Sequence, residues 1–512
     1  MAHAIGIDVG TTNVKVALVA DDGTLVASTS RPLTYLRSGA VAEQDANATW
    51  GQVGDAVREL TATEPVAATD VVSLGVCSQY SSIVPVDASG RAIAPMILYW
   101  DHRGTAASHA IMQRHPEAFA VFVEHHGIPP MGGGLSLGHI LSFQQDQPDV
   151  HAATAAYLEL MDFVTARLTG MICATQCTMF MAQVCDNRTV GVTGYDSELV
   201  RLSGVDPSKL PPLVEIDGVV GELLPSVAAD LGLPVGVAVR AAMNDSQAGA
   251  LTSGAFVPGR GGLAIGTTAV LLDTVDSKRT DLDAELVSMP APIPGRYLAM
   301  AENGIAGKAV EHVLTNVLCA DDVLGTSGDP FAALDVAIAA SPPGSNGVLF
   351  LPWLTGSMAP SASSKMRGAF LNLSLDSSRV DAVRAMIEGT AHNLRWLLPS
   401  VEAFTGNRID EIAFFGGAAR SEAWAQVLAD VLDRPVRPLH RPDRAVARAV
   451  ALAAAHGSDP GSSIPTRGGY EPRPEHRARY EAMHEQFVAA FDAFLPISRA
   501  LNAAPAPDQD AS

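Results

Sequence analysis

The chain has 512 residues, of which 47% are hydrophobic and 17% are charged. This composition excludes a disordered chain, and the length favours two domains of about 250 residues, because a single hydrophobic core rarely grows larger. Acidic residues outnumber basic ones by 55 to 34, which gives a formal net charge of −21. Such a charge disfavours nucleic acids and anionic membranes as partners.

The sequence shows no sign of targeting to a membrane or of secretion. The N-terminus has no basic region before an apolar run, and the best apolar candidate, 445–455, is short and contains Arg448. Five cysteines cannot all be paired, so reduced thiols in a cytoplasmic protein are the simplest interpretation. Cys173, Cys177 and Cys185 lie close together, but their spacing fits no zinc template, and we predict buried free thiols.

The chain begins with a pattern typical of an antiparallel start to an α/β domain. Alternating apolar residues predict strands over 5–9, 14–19 and 25–30, joined by a Gly-Thr-Thr-Asn turn at 10–13 and an Asp-Gly turn at 22–23. The other elements predicted in this half are strands at 71–76 and 83–86 and helices at 48–60, 103–114 and 161–168.

The middle of the chain is rich in small residues and glycine. A strand is predicted over 233–240, followed by Asn244-Asp245-Ser246 and a helix of small residues over 246–251. A glycine-rich connection, 254–262, comes next. We therefore predict an N-terminal domain over 1–253, a C-terminal domain over 254–495 and a disordered tail over 502–512.

The second half opens in the same way as the first. An apolar strand, Gly266-Thr267-Thr268 and another apolar strand repeat the arrangement seen at 10–12, which suggests a duplicated α/β domain facing its twin. The later predictions are a helix at 378–403, a strand at 411–415 and a helix at 422–432 with Ser421 as its N-cap.

The two Gly-Thr-Thr turns are candidates for phosphate binding. Such a turn presents backbone N–H groups and hydroxyls in one direction, and two turns from two domains could hold one polyphosphate. Asp8 is placed to orient a Mg²⁺-bound water, and Lys15 to approach a phosphate as a point charge. Ordinary hairpin chemistry is the alternative for one turn alone. A Walker loop and a dinucleotide fingerprint are both absent from the sequence.

Two further positions are candidates for chemistry. Asp245 follows a predicted strand and begins a predicted helix near the predicted domain boundary. A carboxylate held rigidly there can accept a proton from a substrate hydroxyl. The alternative interpretation is that Asp245 only caps the helix. The segment 416–420, Gly-Gly-Ala-Ala-Arg, connects a strand to a helix, and its small residues allow a flat ring such as adenine to lie against the backbone. A tight loop that needs glycine explains this segment equally well.

Together these residues resemble the FGGY carbohydrate kinases over about 5–455 of the chain. The resemblance rests on Ile7-Asp8-Val9-Gly10-Thr11-Thr12-Asn13-Val14-Lys15, Tyr99-Trp100-Asp101-His102-Arg103, Asn244-Asp245, Ala264-Ile265-Gly266-Thr267-Thr268 and Phe415-Gly416-Gly417-Ala418-Ala419-Arg420. It implies an α/β fold of two ribonuclease-H-like domains, of the actin and hexokinase type, with a cleft between them.

The resemblance also implies ATP and Mg²⁺ as cofactors and transfer of a phosphoryl group to a sugar, most simply a pentulose such as D-xylulose. Asp245 would be the catalytic base, and Asp245 and Asp8, the latter through water, would hold the metal. The implied ATP phosphate site is Gly10, Thr11, Thr12, Asn13, Lys15, Gly266, Thr267 and Thr268, and the implied adenosine site is Gly416, Gly417, Ala418 and Arg420. The implied substrate site is Gln79, Tyr80, Ser81, Asp101, Asp245 and Ser246. The resemblance is compatible with a homodimer, because dimers are common in the family.

The sequence departs from the family where the acceptor binds. Xylulose kinases usually carry Gln-Met-His where this chain has Gln79-Tyr80-Ser81, and His139 replaces a common lysine. The alternatives are therefore a kinase for another ketose, polyol or sugar acid, or a non-catalytic sugar-sensing protein. A chaperone or filament protein of the actin-like superfamily is a third interpretation. Two further parts of the resemblance argue against it, the motif around Asp101 and the segment Asp-Phe-Val-Thr-Ala-Arg-Leu-Thr-Gly at 162–170, as does the position of Asp245.

Overall fold

The structure is a computed structural model that describes residues 2–319, 334–459 and 464–503. The predicted tail, 502–512, lies outside the described residues from 504 onward. The described helices include none long and apolar enough to cross a lipid bilayer.

The first half of the chain alternates strands and helices. Its strands are β1 (His3–Val9), β2 (Asn13–Ala20), β3 (Leu25–Pro32), β4 (Leu36–Ser38), β5 (Val41–Gln44), β6 (Val71–Ser78), β7 (Ile83–Val86), β8 (Met96–Ile97), β9 (Ala156–Glu159), β10 (Ala174–Thr175), β11 (Leu213–Val214), β12 (Val219–Glu222), β13 (Ala238–Arg240) and β14 (Met243–Asn244). Its helices are α1 (Ala46–Thr63), α2 (Pro65–Ala68), α3 (Thr105–Arg114), α4 (Ala118–His125), α5 (Ser136–Asp146), α6 (Pro148–Ala153), α7 (Leu160–Thr169), α8 (Ser197–Ser203), α9 (Pro225–Leu231) and α10 (Asp245–Ser253).

The second half follows the same alternation with longer helices. Its strands are β15 (Arg260–Ile265), β16 (Thr268–Val275), β17 (Thr280–Asp281), β18 (Leu286–Pro290), β19 (Tyr297–Ile305), β20 (Leu349–Leu351), β21 (Ala369–Leu371), β22 (Glu411–Phe415) and β23 (Val436–Pro438). Its helices are α11 (Gly307–Val313), α12 (Leu334–Ala340), α13 (Arg379–Thr405), α14 (Glu422–Leu432), α15 (Ala445–His456) and α16 (Pro474–Leu501).

Five strands of each of the two seven-stranded sheets follow the same order and direction. In the first, β3, β2 and β1 are antiparallel neighbours, and β6 and then β13 continue in parallel from β1. In the second, β19, β16 and β15 are antiparallel, and β22 and β23 continue in parallel from β15. This repeat confirms the predicted duplication and the predicted class of two ribonuclease-H-like α/β domains.

Two helices rich in small residues tie the sheets together. The C-terminal-half helix α15 packs on the first sheet so closely that a Cβ on Gly6 would lie 1.9 Å from the carbonyl oxygen of Ala447. The helix α10 packs on the second sheet, where a Cβ on Gly249 would lie 3.0 Å from the ring of Phe415. Gly6 leaves no room for a side chain because the obstacle is backbone, whereas a side chain at Gly249 would require the Phe415 ring to shift. Each half of the chain therefore contributes a helix to the layer between the sheets.

The prediction of a long strand over 233–240 was wrong. Only 238–240 is extended there, and a separate two-residue strand, β14, follows. Pro234 removes a donor, and Gly236 adopts φ +80, so neither residue continues a ladder. The helices at 48–60 and 161–168 extend beyond their predicted bounds at both ends, and the helix predicted at 378–403 begins one residue later and ends two residues later. The strand at 411–415 and the helix at 422–432 match their predictions.

Candidate active site

The first Gly-Thr-Thr turn joins β1 to β2. Its Gly10 N–H donates to the carbonyl oxygen of Asn13 at 3.0 Å, and Thr12 is exposed. Asp8 and Lys15 are paired across the two strands, with Lys15 Nζ 3.8 Å from Asp8 Oδ2. The sharp reversal therefore brings an acid, a base and two hydroxyls to one end of the sheet.

The second turn, between β15 and β16, occupies the equivalent place in the second sheet and is one residue shorter. The Gly266 N–H donates to the Thr268 carbonyl at 3.0 Å, and the Thr267 carbonyl accepts from the Ala306 N–H at 3.0 Å. Gly266 and Thr267 are exposed, and a Cβ on Gly266 would meet no atom within 4 Å. The space in front of this turn is open to a ligand.

Asp245 lies at the start of α10, beside the ends of β1 and β6. The strand β14 pairs with β6, whose Cys77 is opposite Asp8 on β1, so the chain places Asp245 next to Asp8. Asn244 caps α10 in a capping box with Gln247, which fixes the direction of the preceding strand and the following helix. The Asp245 side chain is half-buried, and the structure thus holds it rigidly but within reach of a ligand.

Burial raises the pKa of Asp245 to about 7, and the negative charges of Asp8 and Glu302 act in the same direction. The hydrogen bonds of Ser246 oppose this shift. A carboxyl group with a pKa near neutrality changes its protonation in the range where a general base works best.

The predicted acceptor residues after β6 lie beside Asp245 and the first turn. The Thr11 hydroxyl donates to Gln79 Oε1, and the Tyr80 hydroxyl lies 3.4 Å from Met300 Sδ of the second domain. The Gln79 amide nitrogen and the Ser81 hydroxyl are buried without a partner in the described part of the chain. Since unpaired buried polar groups are costly, these two groups are candidates for contact with a bound molecule.

A second tyrosine, Tyr99, belongs to the same neighbourhood. Burial raises the pKa of Tyr99 to about 12, and the carboxylates of Asp245 and Glu302 add to this shift. Burial and the same two carboxylates raise the pKa of Tyr80 well above its usual value. Both phenols are therefore neutral hydrogen-bonding groups at the pH where the protein works.

Asp101 has a different environment from the one that we predicted. Its carboxylate is fully buried and accepts from the Ala42 N–H at 2.7 Å and from the Arg103 guanidinium at 2.7 and 2.9 Å. Although burial raises it, the hydrogen bonds from Arg103 hold the pKa of Asp101 below its usual value. This geometry does not support direct substrate binding by Asp101, because its oxygens already hold Arg103, which also pairs with Glu43.

His139 is also enclosed. Its Nε2 lies 3.1 Å from the Asp101 carbonyl oxygen, and burial lowers the pKa of His139 to about 4. The imidazole is therefore neutral and cannot supply the positive charge of the lysine that it replaces.

The predicted adenosine loop follows β22. Gly416 adopts φ +90, and a Cβ there would lie 2.7 Å from the Ile265 carbonyl oxygen, whereas Gly417 is exposed with no atom within 4 Å of its Cβ position. One short 3₁₀ turn, Ala418–Arg420, leads to α14, whose N-cap is Ser421 as predicted. Gly416 is thus required by the fold, and Gly417 leaves a free surface beside the second turn.

The sequence analysis missed Glu302. It lies on β19, is half-buried, and its charge acts on Asp245, Tyr80 and Tyr99. The available signal was a carboxylate in a mostly apolar strand. The thiols of Cys173, Cys177 and Cys185 are buried and free, which confirms their prediction.

Comparisons with known proteins give one consistent result. The FGGY family of carbohydrate kinases matches with its N-terminal domain over residues 3–252 and with its C-terminal domain over residues 262–458. A xylulose kinase of Bacillus subtilis (strain 168) is 26% identical over 502 residues, covering 97% of this chain and 93% of that protein. A gluconokinase of the same organism is 23% identical, covering 85% of this chain and 84% of that protein.

Solved structures show the same fold. The ligand-bound xylulose kinase from Lactobacillus acidophilus superposes with a TM-score of 0.84 at 20% identity, covering 98% of this chain and all of that one.

Proposed function

Because this chain belongs to the FGGY family of carbohydrate kinases and is therefore a sugar kinase, we propose that it transfers the terminal phosphoryl group of ATP to a hydroxyl of a pentulose such as D-xylulose. The acceptor lies mainly on the domain 1–253 and the nucleotide mainly on the domain 254–495. The observation that carries this proposal is the position of Asp245, where the carboxyl ends of β1 and β6 meet the helix that packs on the second sheet.

The two turns are the donor site in this proposal. Backbone N–H groups and hydroxyls of Gly10, Thr11, Thr12 and Asn13, with Lys15, face the phosphates from one sheet, and Gly266, Thr267 and Thr268 face them from the other. The adenosine lies against Gly416, Gly417, Ala418 and Arg420. The open space at Gly266 and Gly417 supports this arrangement, because a phosphate chain and a flat ring both need close access to backbone.

The carboxylates of Asp8 and Asp245 fit a magnesium ion. They lie close enough for Asp8 to raise the pKa of Asp245, and Lys15 is the cation paired with Asp8. No group of three or more His, Cys, Asp or Glu side chains within the described ranges could hold a metal alone. This is the pattern of Mg²⁺ bound through one or two carboxylates, water and substrate phosphates. The ion would supply neutralisation of phosphate charge, with Asp8 holding it through water and Asp245 beside it.

Asp245 is the general base of the proposed reaction. Its carboxylate accepts the proton of the acceptor hydroxyl as that oxygen attacks the terminal phosphorus in line with the departing ADP oxygen. The proton remains on the carboxyl group until it is lost to water after product release. Closure of the two domains excludes water, which otherwise competes as the acceptor.

The acceptor contacts proposed for this chain are Gln79, Tyr80, Ser81 and Ser246, with Asp101 holding Arg103 in place. The residues Gln79-Tyr80-Ser81 differ from the pattern usual in xylulose kinases, and His139 is neutral and enclosed. These two observations favour, as a second candidate, a kinase for another ketose or polyol.

The proposal is tested by ADP release with Mg²⁺ and ATP over a panel of ketoses, aldoses, polyols and sugar acids. We expect one acceptor well above the rate without acceptor. A flat panel, with ATP still bound by the protein, would overturn the proposed transfer and favour the sugar-sensing interpretation.

A further inference from the structure

The strand β19 presents an unpaired acid to the acceptor end of the cleft. Along this strand Asn303 faces the core of the second domain, where its amide donates to the carbonyl oxygens of Ala359 and Asn393 at 3.0 and 3.3 Å. The alternation of a strand then directs Met300 and Glu302 to the opposite face. Met300 on that face contacts the Tyr80 hydroxyl of the first domain at 3.4 Å, which shows that this face looks across the cleft.

Glu302 has no hydrogen bond or ion pair with any residue that the structure describes. Its strand neighbour Val270 is apolar, and burial raises the pKa of Glu302 above its usual value. The Glu302 side chain is only half-buried, so water can hydrate its carboxylate while the cleft is empty, and a ligand that displaces this water has to supply hydrogen-bond donors in its place. The hydroxyls of a sugar are such donors, and each charge-assisted hydrogen bond adds more than a neutral one.

Three cations in this part of the described chain lie against other groups of the protein. Lys15 lies beside Asp8, Arg103 is held by Asp101 and Glu43, and the guanidinium of Arg37 stacks 5.7 Å from the centre of the Trp100 ring. The charges that act on Tyr80, Tyr99 and Asp245 are those of the carboxylates of Asp8, Asp245 and Glu302, so the electrostatic potential around these side chains is negative. A carboxylate on the acceptor would meet like charges in a site of low dielectric, which disfavours binding.

We infer that Glu302 is a specificity-determining residue contributed by the second domain, which binds acceptor hydroxyls and selects an uncharged ketose or polyol over a sugar acid. This inference rests on the proposed function and narrows its substrate class. Because Glu302 comes from the domain opposite Tyr80, the contact also forms only when the two domains approach each other over the acceptor.

The test compares matched acceptors on the full-length protein. D-xylulose, xylitol and D-sorbitol are the uncharged probes, and D-xylonate and D-gluconate are the acids. Binding is measured by calorimetry with a non-hydrolysable ATP analogue and Mg²⁺, and transfer by ADP release. For the native protein we expect each uncharged probe to bind at least about tenfold more tightly than the acid with the same carbon chain.

Two substitutions separate the charge from the contact. Glu302→Ala should raise the acceptor KM by about tenfold or more and leave the ATP KM unchanged, because hydrogen bonds to a charged group are lost. Glu302→Gln keeps hydrogen bonding but removes the negative charge, so the ratio of the affinity for the uncharged probes to that for the acids should fall by about tenfold. Glu485→Gln, an exposed carboxylate on α16, is the matched control and should change neither quantity.

The outcomes are distinguishable from failure of the proposed function. Equal or tighter binding of the acids by the native protein, or an unchanged acceptor KM and preference in both Glu302 variants, would overturn the inference while the kinase assignment stands. Binding of uncharged probes without transfer would contradict the proposed transfer and leave the inference supported. Absence of binding by every probe would contradict both.

Discussion

Replacing Asp245 by Asn should stabilise the protein more at high pH than at low pH. Because the pKa of Asp245 is about 7 in the folded protein and 3.8 in a model peptide, the folded state binds the proton more tightly than the unfolded state. Stability therefore falls as the pH rises from about 4 to about 7, and the full penalty is present above pH 7. Asn carries no charge, so the variant escapes this penalty.

The size of the effect follows from the same two values. A difference between 3.8 and about 7 corresponds to about 4 kcal/mol as an upper limit. The side chain keeps partial contact with solvent, and it lies in the first turn of α10, where the helix dipole favours the charged form. We therefore expect about 2 kcal/mol of added stability for Asp245→Asn at pH 8 and less than half of that at pH 4.5.

Urea unfolding at the two pH values, without nucleotide or Mg²⁺, measures this difference. Asp149→Asn is the matched control, since Asp149 is an exposed acid in the first turn of α6 and carries no burial cost. It should change stability only slightly at both pH values. Equal stability of Asp245→Asn and the native protein at pH 8, or the same gain at both pH values, would refute the reasoning that burial and neighbouring charges disfavour the carboxylate.

Three more results are expected. Gly417→Ala should raise the ATP KM by about tenfold without loss of stability. Gly416→Ala should instead reduce the yield of folded protein, because its Cβ would strike a backbone carbonyl. Equal effects of the two substitutions would contradict the assignment of the loop to adenosine binding. In urea unfolding, Gly6→Ala should lower the free energy of unfolding by about 3 kcal/mol or more, because α15 above it must move. Gly51→Ala, in an exposed turn of α1, should raise the free energy of unfolding by about 0.5 kcal/mol. An unchanged stability of Gly6→Ala would refute the packing argument. With native protein, acceptor kcat/KM should fall about tenfold from pH 8 to pH 6 as Asp245 gains a proton, and a flat profile would contradict its role.

The duplicated architecture could be predicted from sequence because local signals were strong. The turn at 10–12 and the turn at 266–268 carry the same residues between apolar strands, and the structure places them at equivalent ends of equivalent sheets. The segment 411–432 was predicted to the residue, since a β-branched and aromatic strand, small loop residues and a serine N-cap follow each other without ambiguity.

Other parts depended on packing between distant segments. The packing of α15 on the first sheet and of α10 on the second could not be predicted from local sequence. Gly6 is an ordinary strand residue in the sequence, and its need for glycine becomes clear only from the position of Ala447 in the folded protein. The helix α16 was not predicted, although Tyr480, Met483, Phe487 and Phe491 recur at helical spacing and are buried. Its apolar face packs on α13, α14 and β20, which lie far away in sequence.

The candidate site was predictable in part for the same reason. Asp8 and Asp245 stand next to recognisable turns, whereas Glu302 lies in a strand whose facing depends on the whole second sheet. Asp101 occurs in a family motif, but its burial against Arg103 depends on the tertiary contact with the strand at 41–44. Motifs identify residue types at turns; they do not show which side chains across a domain boundary meet.

The measurement that tests the central claim most directly is the transfer rate of Asp245→Asn with the best acceptor at pH 8. If Asp245 accepts the proton of the attacking hydroxyl, kcat/KM should fall by about 10² to 10⁴, and the affinity for the ATP analogue should stay within about twofold of the native value. A variant that keeps kcat/KM within about tenfold of the native protein would contradict Asp245 as the base. Loss of nucleotide binding together with activity would contradict its placement on the acceptor side of the phosphates.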